Sequence, residues 1–276
     1  MSRTNTPTAQ LPLSDSGWLE AEATLWTAQT GNLLLQQIPL RKNLRILEVG
    51  CGTGMLSREL AHRLDAGSLV TATDPFEACK ARAYSFPNAA EPTNLSYRWL
   101  PDEQLPFENK SFDIIFSNLG FWRYPDPDAL LLSCRDKLKK TGRLFLTAFT
   151  EGHFRELYDS LEAVLKQLRA SDGMFDWARA LSQQHGTDES LREWLETTGF
   201  SVVRVGRERS FCRFTDGSSL LQHYLVRQAV LFGWKERFPD GGAKVLDMLE
   251  KELNEKADWE GEIRISTQFL LLEAVN

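Results

Sequence analysis

Ligand sets for a structural metal or a disulfide framework are missing from this chain. Its four cysteines, Cys51, Cys79, Cys134 and Cys212, form no C-x-x-C pair, and its four histidines, His62, His153, His185 and His223, form no H-x-x-x-H pair. With no histidine at metal-ligand spacing from any cysteine, no metal is expected, and the cysteines read as reduced, mostly buried thiols. Long apolar runs are also lacking: nothing approaches the roughly 20 residues that a membrane helix needs. Met1 to Leu13 is polar and proline-containing, without the apolar stretch of a signal peptide. A soluble, cytoplasmic protein with no membrane partner is therefore expected. Excess positive charge is absent, since the net charge is −6 and the pI near 5.4, which argues against nucleic acid as a partner. The one basic cluster is Arg204, Arg207, Arg209 and Arg213. No internal repeat and no low-complexity tract occurs.

What remains is an ordinary globular composition, 42% apolar and 25% charged over 276 residues. That is enough for one α/β core with inserted helices. The pattern predicts a helix from the N-cap Ser14 to Leu35 with a break at Gly31, then a strand at 44–49 that runs straight into glycines. Leu56, Leu60 and Leu64 recur at helical spacing up to Gly67. Further strands are predicted at 69–73, 95–100, 112–117 and 143–149, the last led in by Gly142, with helices at 77–84 and 128–138 between them. Phe154, Leu157, Tyr158, Leu161, Val164, Leu165 and Leu168 form one more helical stripe, read as core packing. Asp188 to Thr198 predicts a helix, Ser201 to Phe214 a sixth strand, Asp216 to Asp258 a helical stretch, and Arg264 to Val275 a last strand. Strands alternating with helices at this pace imply a mostly parallel, seven-stranded α/β sheet covered on both faces.

The segment Glu48-Val49-Gly50-Cys51-Gly52-Thr53-Gly54 joins the first strand to the first helix of this pattern. So abrupt a turn needs positive φ angles, which glycine supplies, and a loop free of side chains admits a ligand to its N–H groups and to the helix N-terminus. Asp74 lies about 20 residues beyond the loop, at the end of the second strand, where a carboxylate reaches ribose hydroxyls. The spacing is G-x-G-x-G, not the G-x-G-x-x-G of nicotinamide and flavin folds, and no Gly-Lys-Ser/Thr ending marks a Walker loop.

That segment resembles the first motif of the class I S-adenosylmethionine-dependent methyltransferases. Asp74 matches the family's ribose-binding acid, and Pro75 and Phe76 the apolar pair beside the adenine. Leu105-Pro106-Phe107 followed by Ser111-Phe112-Asp113 is similar to the family's segment entering the fourth strand. The resemblance spans roughly 44–150 and implies a Rossmann-like fold, S-adenosyl-L-methionine as cofactor, and methyl transfer as activity. It places Gly50, Cys51, Gly52 and Gly54 against the cofactor and Glu48 near its amino-acid part. The family's adenine-contacting acid, four residues before the Leu-Pro-Phe, is Pro101 here, so Asp102 or Glu103 takes its place. The usual Lys-Pro-Gly-Gly turn is Lys139-Lys140-Thr141-Gly142.

Asn118 stands at the carboxyl edge of the sheet, where open α/β folds bind ligands, and is assigned to the cofactor. Phe121, Trp122 and Tyr124 beside it either line an acceptor pocket or pack under a lid. Four regions follow: a tail and covering helix at 1–43, the cofactor-binding core at 44–150, a helical lid at 151–187, and completion of the core at 188–276 with a helical insertion at about 216–258. The insertions leave the fifth and sixth strands at the edge carrying the loop, so they are expected to form the lid. A carboxylate acceptor needs no base, whereas for a hydroxyl His153 or Tyr158 would serve.

Ser117-Asn118-Leu119, Phe149-Thr150-Glu151-Gly152 and Glu156-Leu157 also resemble the malonyl-acyl-carrier-protein O-methyltransferases, with Trp122-Arg123 where that group has Gln-Trp or His-Trp. The expectation is a small-molecule acceptor, free or carrier-bound, methylated at a carboxylate or hydroxyl oxygen. The alternatives are a cofactor-binding cyclase or regulatory module on the same fold, and a methyltransferase acting on protein.

Overall fold

A computed structural model describes residues 27–76, 92–100, 103–224, 226–231, 234, 237–238 and 242–276. The predicted helix at 77–84, Cys79, Asp102 and the start of the predicted N-terminal helix lie outside these residues.

The elements follow as α1 (Ala28–Gln37), β1 (Arg45–Val49), α2 (Met55–Arg63), β2 (Leu69–Asp74), β3 (Leu95–Trp99), β4 (Phe112–Asn118), a 3₁₀ turn (Phe121–Arg123), α3 (Pro127–Lys137) and β5 (Leu138–Phe149). After them come α4 (Arg155–Gln167), α5 (Asp172–Ser182), α6 (Asp188–Thr197), β6 (Ser201–Phe214), α7 (Gly217–Gln222), a π-helical turn (Val226–Leu231), α8 (Ala243–Glu260) and β7 (Ile263–Val275).

The strands form one seven-stranded sheet in the order β3-β2-β1-β4-β5-β7-β6. β1 pairs in parallel with β2 and β4, β2 with β3, and β4 with β5. The chain steps outward from β1 through β2 to β3, then returns to β4 on the other side of β1. That reversal marks the topological switch point at the carboxyl ends of β1 and β4, where such sheets take ligands.

The chain divides into two compact units, with the division falling inside β6 and β7 and at the end of β5. In the sheet unit (described residues of 27–148, with 187–208 and 269–276), period-two alternation sorts side chains into two layers. Ile46, Ile114, Phe116 and Phe145 face α1 and α2, packing with Leu34, Leu35, Leu56 and Leu60. Leu47, Val49, Ile115, Leu144 and Leu146 face α3 and α6, packing with Leu130, Leu131, Leu191 and Leu195. Asp126 caps α3 by accepting from the Ala129 N–H at 3.0 Å, and Pro127 opens the helix, where its missing N–H costs nothing. Thr187 caps α6 in the same way, from Ser190 N–H at 3.1 Å.

The helical unit (149–186 and 209–268) packs α4 against α5 and α8, and α7 against α8. Leu157, Leu161, Val164 and Leu165 of α4 and Val245, Leu249 and Leu253 of α8 are buried. Gly217 admits α8, since a Cβ there would come within 2.6 Å of Leu253 Cβ.

Three sequence expectations change. Gly31 is no break: it lies inside α1, where a Cβ would crowd Leu56 at 2.6 Å, so it is small to let two helices approach. Gly142 does not precede the fifth strand but lies within it. Phe112 pairs with Leu138 and Ile114 with Arg143, so two steps on β4 span five on β5, and the expected turn becomes a wide bulge. The stretch 216–258 is α7, the π-helical turn and α8 rather than one helix. The helix α5 falls inside the stretch 151–187 expected to be helical, although no apolar stripe marks it: Gly173 stands in its first turn and only Ala178 is buried.

Among the described residues, no helix is long and apolar enough to cross a membrane. The arginine cluster carries its own partners. Arg204 donates to Gln37, Arg207 pairs with Asp188 at 2.8 Å, Arg209 donates to Ser266 at 3.2 Å, and Arg213 pairs with Glu262 at 2.5 Å. Cys51, Cys134 and Cys212 are buried, and the described residues hold no group of acids, histidines or cysteines able to take a metal.

Candidate functional site

The glycine loop is built from backbone demands first. Gly50, Gly52 and Gly54 all hold positive φ, at 73°, 55° and 74°. A Cβ on Gly50 would lie 2.6 Å from the Gly120 Cα, backbone against backbone, and one on Gly54 would strike the Tyr97 ring. The loop is tied to β2 by the Gly50 and Cys51 N–H groups, which donate to the Thr73 carbonyl at 2.8 and 2.9 Å. Leu119, at the tip of β4, itself takes φ 57° and delivers Gly120 onto Gly50. Such a value is strained for a leucine.

Three hydroxyls brace the end of β1. Thr73 donates to the Glu48 carbonyl at 2.9 Å, Ser117 to the Val49 carbonyl at 2.6 Å, and Ser57 to the Glu48 carboxyl at 2.5 Å. Glu48 is 2% exposed, and burial pushes its carboxyl up to about 8 against the lowering effect of Ser57. A buried acid so poised favours a cationic neighbour, which would return it to the ionised form.

Asp74, fully buried, closes β2. One carboxylate oxygen accepts from the Gly52 N–H at 2.7 Å and the other from the Phe76 N–H at 2.9 Å. It thus does what a strand-end cap does. Pro75 and Phe76 follow it, both half-buried.

Other assigned residues are already engaged. Asn118 accepts from Thr147 at 2.8 Å and donates to the Thr27 carbonyl at 2.9 Å, which makes it a clasp between β4, β5 and the start of α1. Glu103 accepts from the Asp126 N–H at 2.9 Å, holding the loop before α3. Phe121 and Tyr124, 2% and 3% exposed, belong to the core cluster of the sheet unit, so the reading in which they pack is the one the structure carries. Trp122 alone of the three keeps substantial exposure, resting on Trp194 at 5.1 Å.

His153 and Tyr158 lie in the helical unit, in a buried cluster. The His153 ring stacks on Phe149 at 4.0 Å and meets His185 edge-on at 5.1 Å. Burial, reinforced by His185, holds His153 well below the usual imidazole range, and burial takes His185 down to about 4. Tyr158 is pushed up to about 12 by burial, although it accepts a hydrogen bond from Gln184 at 3.2 Å. Neither candidate base is inclined to take a proton near neutrality.

Sequence reasoning missed Ser57, Tyr97, Gly120 and Gln184, and ranked His185 below His153 as a candidate to meet substrate. Only Gly120, following the fourth strand, carried a signal; the others are set by tertiary packing.

Comparison with known proteins bears on the loop and its strands. A family model described as a methyltransferase domain matches residues 24–205. A ubiquinone biosynthesis O-methyltransferase of Coxiella burnetii is 28% identical over 170 residues, covering 62% of this chain and 68% of that protein. A ubiquinone/menaquinone biosynthesis C-methyltransferase of Shewanella oneidensis is 27% identical over 186 residues, covering 64% and 72%. In fold, the chain is similar to an S-adenosylmethionine-dependent methyltransferase from Aquifex aeolicus, with a TM-score of 0.56, 12% identity, and coverage of 95% and 99%.

Proposed function

Because this chain belongs to the class I S-adenosylmethionine-dependent methyltransferases, we propose that it methylates a small molecule at an oxygen that is ionised before it binds. The observation that carries this reading is the burial of the two candidate bases, 3% and 4% exposed, which raises the Tyr158 hydroxyl to about 12 and holds His153 well below the usual imidazole range. A hydroxyl of alcohol type would need a base that this pair does not offer. A carboxylate or an acidic phenol needs none. The two quinone-biosynthesis relatives support a small, ring-bearing acceptor.

The residues present fit the cofactor. The loop is held at positive φ by Gly50, Gly52 and Gly54, and the buried Glu48 suits an ammonium group. Asp74, at the tip of β2, would meet the ribose hydroxyls. Pro75 and Phe76 would flank the adenine, with Glu103 toward its amino group. When bound, the cofactor supplies a methyl carbon already activated by the sulfonium charge. The protein's part is to orient the acceptor and exclude water.

The test is incubation of the chain with S-adenosylmethionine and a panel of aryl carboxylates, phenols of graded acidity and aliphatic alcohols, reading S-adenosylhomocysteine. Turnover with carboxylates or acidic phenols and none with alcohols is expected. Turnover confined to alcohols would reject the reading, and cofactor binding without any transfer would favour a cyclase or regulatory role.

A further inference from the structure

Among the described residues, the non-glycine positions with positive φ are Asn43, Lys110, Leu119, Phe154 and Arg169. Asn43, Lys110 and Arg169 are exposed, as turn residues commonly are. Phe154 is 2% exposed, so packing in the core of the helical unit offsets its strain. Leu119, at φ 57°, is half-buried and packs with neither core layer of the sheet unit. Its backbone is nevertheless fixed on all sides. The Leu119 N–H donates to Thr147 Oγ1 at 3.0 Å, Thr147 donates to Asn118 at 2.8 Å, and Asn118 donates to the Thr27 carbonyl at 2.9 Å. A Cβ on the adjoining Gly120 would lie 2.6 Å from the Gly50 carbonyl oxygen and 2.8 Å from that of Val49. Glycine or asparagine at 119 would make the same turn with little strain. Neither the turn nor the core therefore calls for leucine. The arrangement holds an apolar side chain, partly open to solvent, at the tip of β4, one residue from the backbone that abuts Gly50. Strain so over-determined by its surroundings clusters where ligands are held.

We propose that Leu119 is a cofactor-contacting residue, kept in a strained conformation so that its side chain packs against the aliphatic, sulfur-bearing chain of S-adenosylmethionine. The inference rests on the cofactor seat proposed above. There Glu48 takes the ammonium group, and Asp74, which accepts from the Gly52 N–H, takes the ribose. Gly50 stands between these two points of the loop, as the aliphatic chain stands between the same two ends of the ligand. Glu48 and Asp74 supply charge and hydrogen bonds to those ends. Leu119 supplies the apolar contact for what joins them.

Binding and melting of the intact chain test it in wild type, Leu119→Asn, Leu119→Met and Asp74→Ala. The probes are S-adenosylhomocysteine, by calorimetry, and adenosine, which lacks the aliphatic chain, by displacement of the first. Leu119→Asn removes the strain together with the apolar contact. Its melting temperature without ligand is expected to equal that of wild type or exceed it by up to about 4 °C. Its affinity for S-adenosylhomocysteine should fall about fivefold, the loss of part of a buried leucine side chain, with adenosine bound as before. Leu119→Met keeps an apolar side chain and should stay within about twofold of wild type. A melting temperature lowered by more than about 4 °C in Leu119→Asn would mean that the leucine serves packing, and would overturn the proposal. Unchanged affinity for S-adenosylhomocysteine would overturn it too, as would an equal loss for adenosine, the mark of a displaced loop. Asp74→Ala separates the contact from the seat. If Asp74→Ala binds both probes as wild type does, the seat itself falls; if it loses both while Leu119→Asn loses neither, only the Leu119 contact falls.

Discussion

The sheet unit and the helical unit bury polar groups in opposite ways. Around β1, Asp74, Thr73, Ser117 and Asn118 satisfy backbone N–H and carbonyl groups, and the loop between them is shaped by φ angles. Around α4, His153, Tyr158, His185 and Gln184 satisfy one another or pack on aromatic rings. The first arrangement tolerates few residue types, because a backbone conformation or a backbone donor dictates each. The second is specified only by the packing of its own side chains. The sheet unit's arrangement is therefore constrained by the backbone, and the helical unit's by side chains alone.

The comparison breaks first at Gly50. Replacing it with alanine forces a side chain into φ 73° and onto the Gly120 backbone, where nothing can yield. A loss on the order of 3 kcal/mol is expected in urea unfolding. A loss under about 0.5 kcal/mol, the range of an innocuous surface change, would mean that the loop is not held as described.

Proton linkage sharpens it next. With the Glu48 carboxyl at about 8 in the folded chain, binding a cationic amino group beside it requires release of a proton at lower pH. S-adenosylhomocysteine affinity should rise about tenfold per pH unit from about pH 6 to 7.5, and Glu48→Gln should flatten the slope while weakening binding. A flat wild-type profile would remove Glu48 from the ammonium site.

Stability should respond to pH with opposite signs in the two units. The raised Glu48 value means that the folded sheet unit holds a proton which the unfolded chain has lost between pH 4.5 and about 8. This contribution therefore falls as pH rises through that window. The lowered values of His153 and His185 mean that the unfolded chain binds protons which the folded helical unit refuses below about pH 6.5. That contribution is therefore lost on acidification. Hydrogen exchange resolved by peptide, compared at equal intrinsic rate, should show protection in β1 and α2 declining toward pH 8 and protection in α4 declining toward pH 5. Parallel slopes in both units would contradict the difference. The smallest effect belongs to Trp122→Ala, at a residue 38% exposed. That change should cost about 1 kcal/mol or less in thermal unfolding. A larger loss would make Trp122 a structural member of the core with Phe121.

The same contrast explains what could be read from residues alone. Gly50, Gly52, Gly54 and Asp74 were legible because positive φ and a strand-tip carboxylate leave a mark at fixed spacing. The central strands were legible because short apolar runs, Ile46-Leu47 and Ile114-Ile115 among them, sit between turn residues. Gln184 left no mark, since it repeats at no helical or strand period and Tyr158 is 26 residues away from it. Phe121 and Tyr124 were ambiguous because an aromatic residue suits a core and a pocket equally. Gly31 and Gly142 misled because glycine also serves close packing and bulges, not only breaks.

The loop and Asp74 as the seat of the cofactor are tested most directly by isothermal titration of S-adenosylhomocysteine into wild type and Asp74→Ala. Micromolar affinity in wild type is expected, with a loss of tenfold or more in the variant, the size of a charge-assisted hydrogen bond of about 1.5–3 kcal/mol. Equal affinity in the two proteins would place the ribose elsewhere and contradict the account.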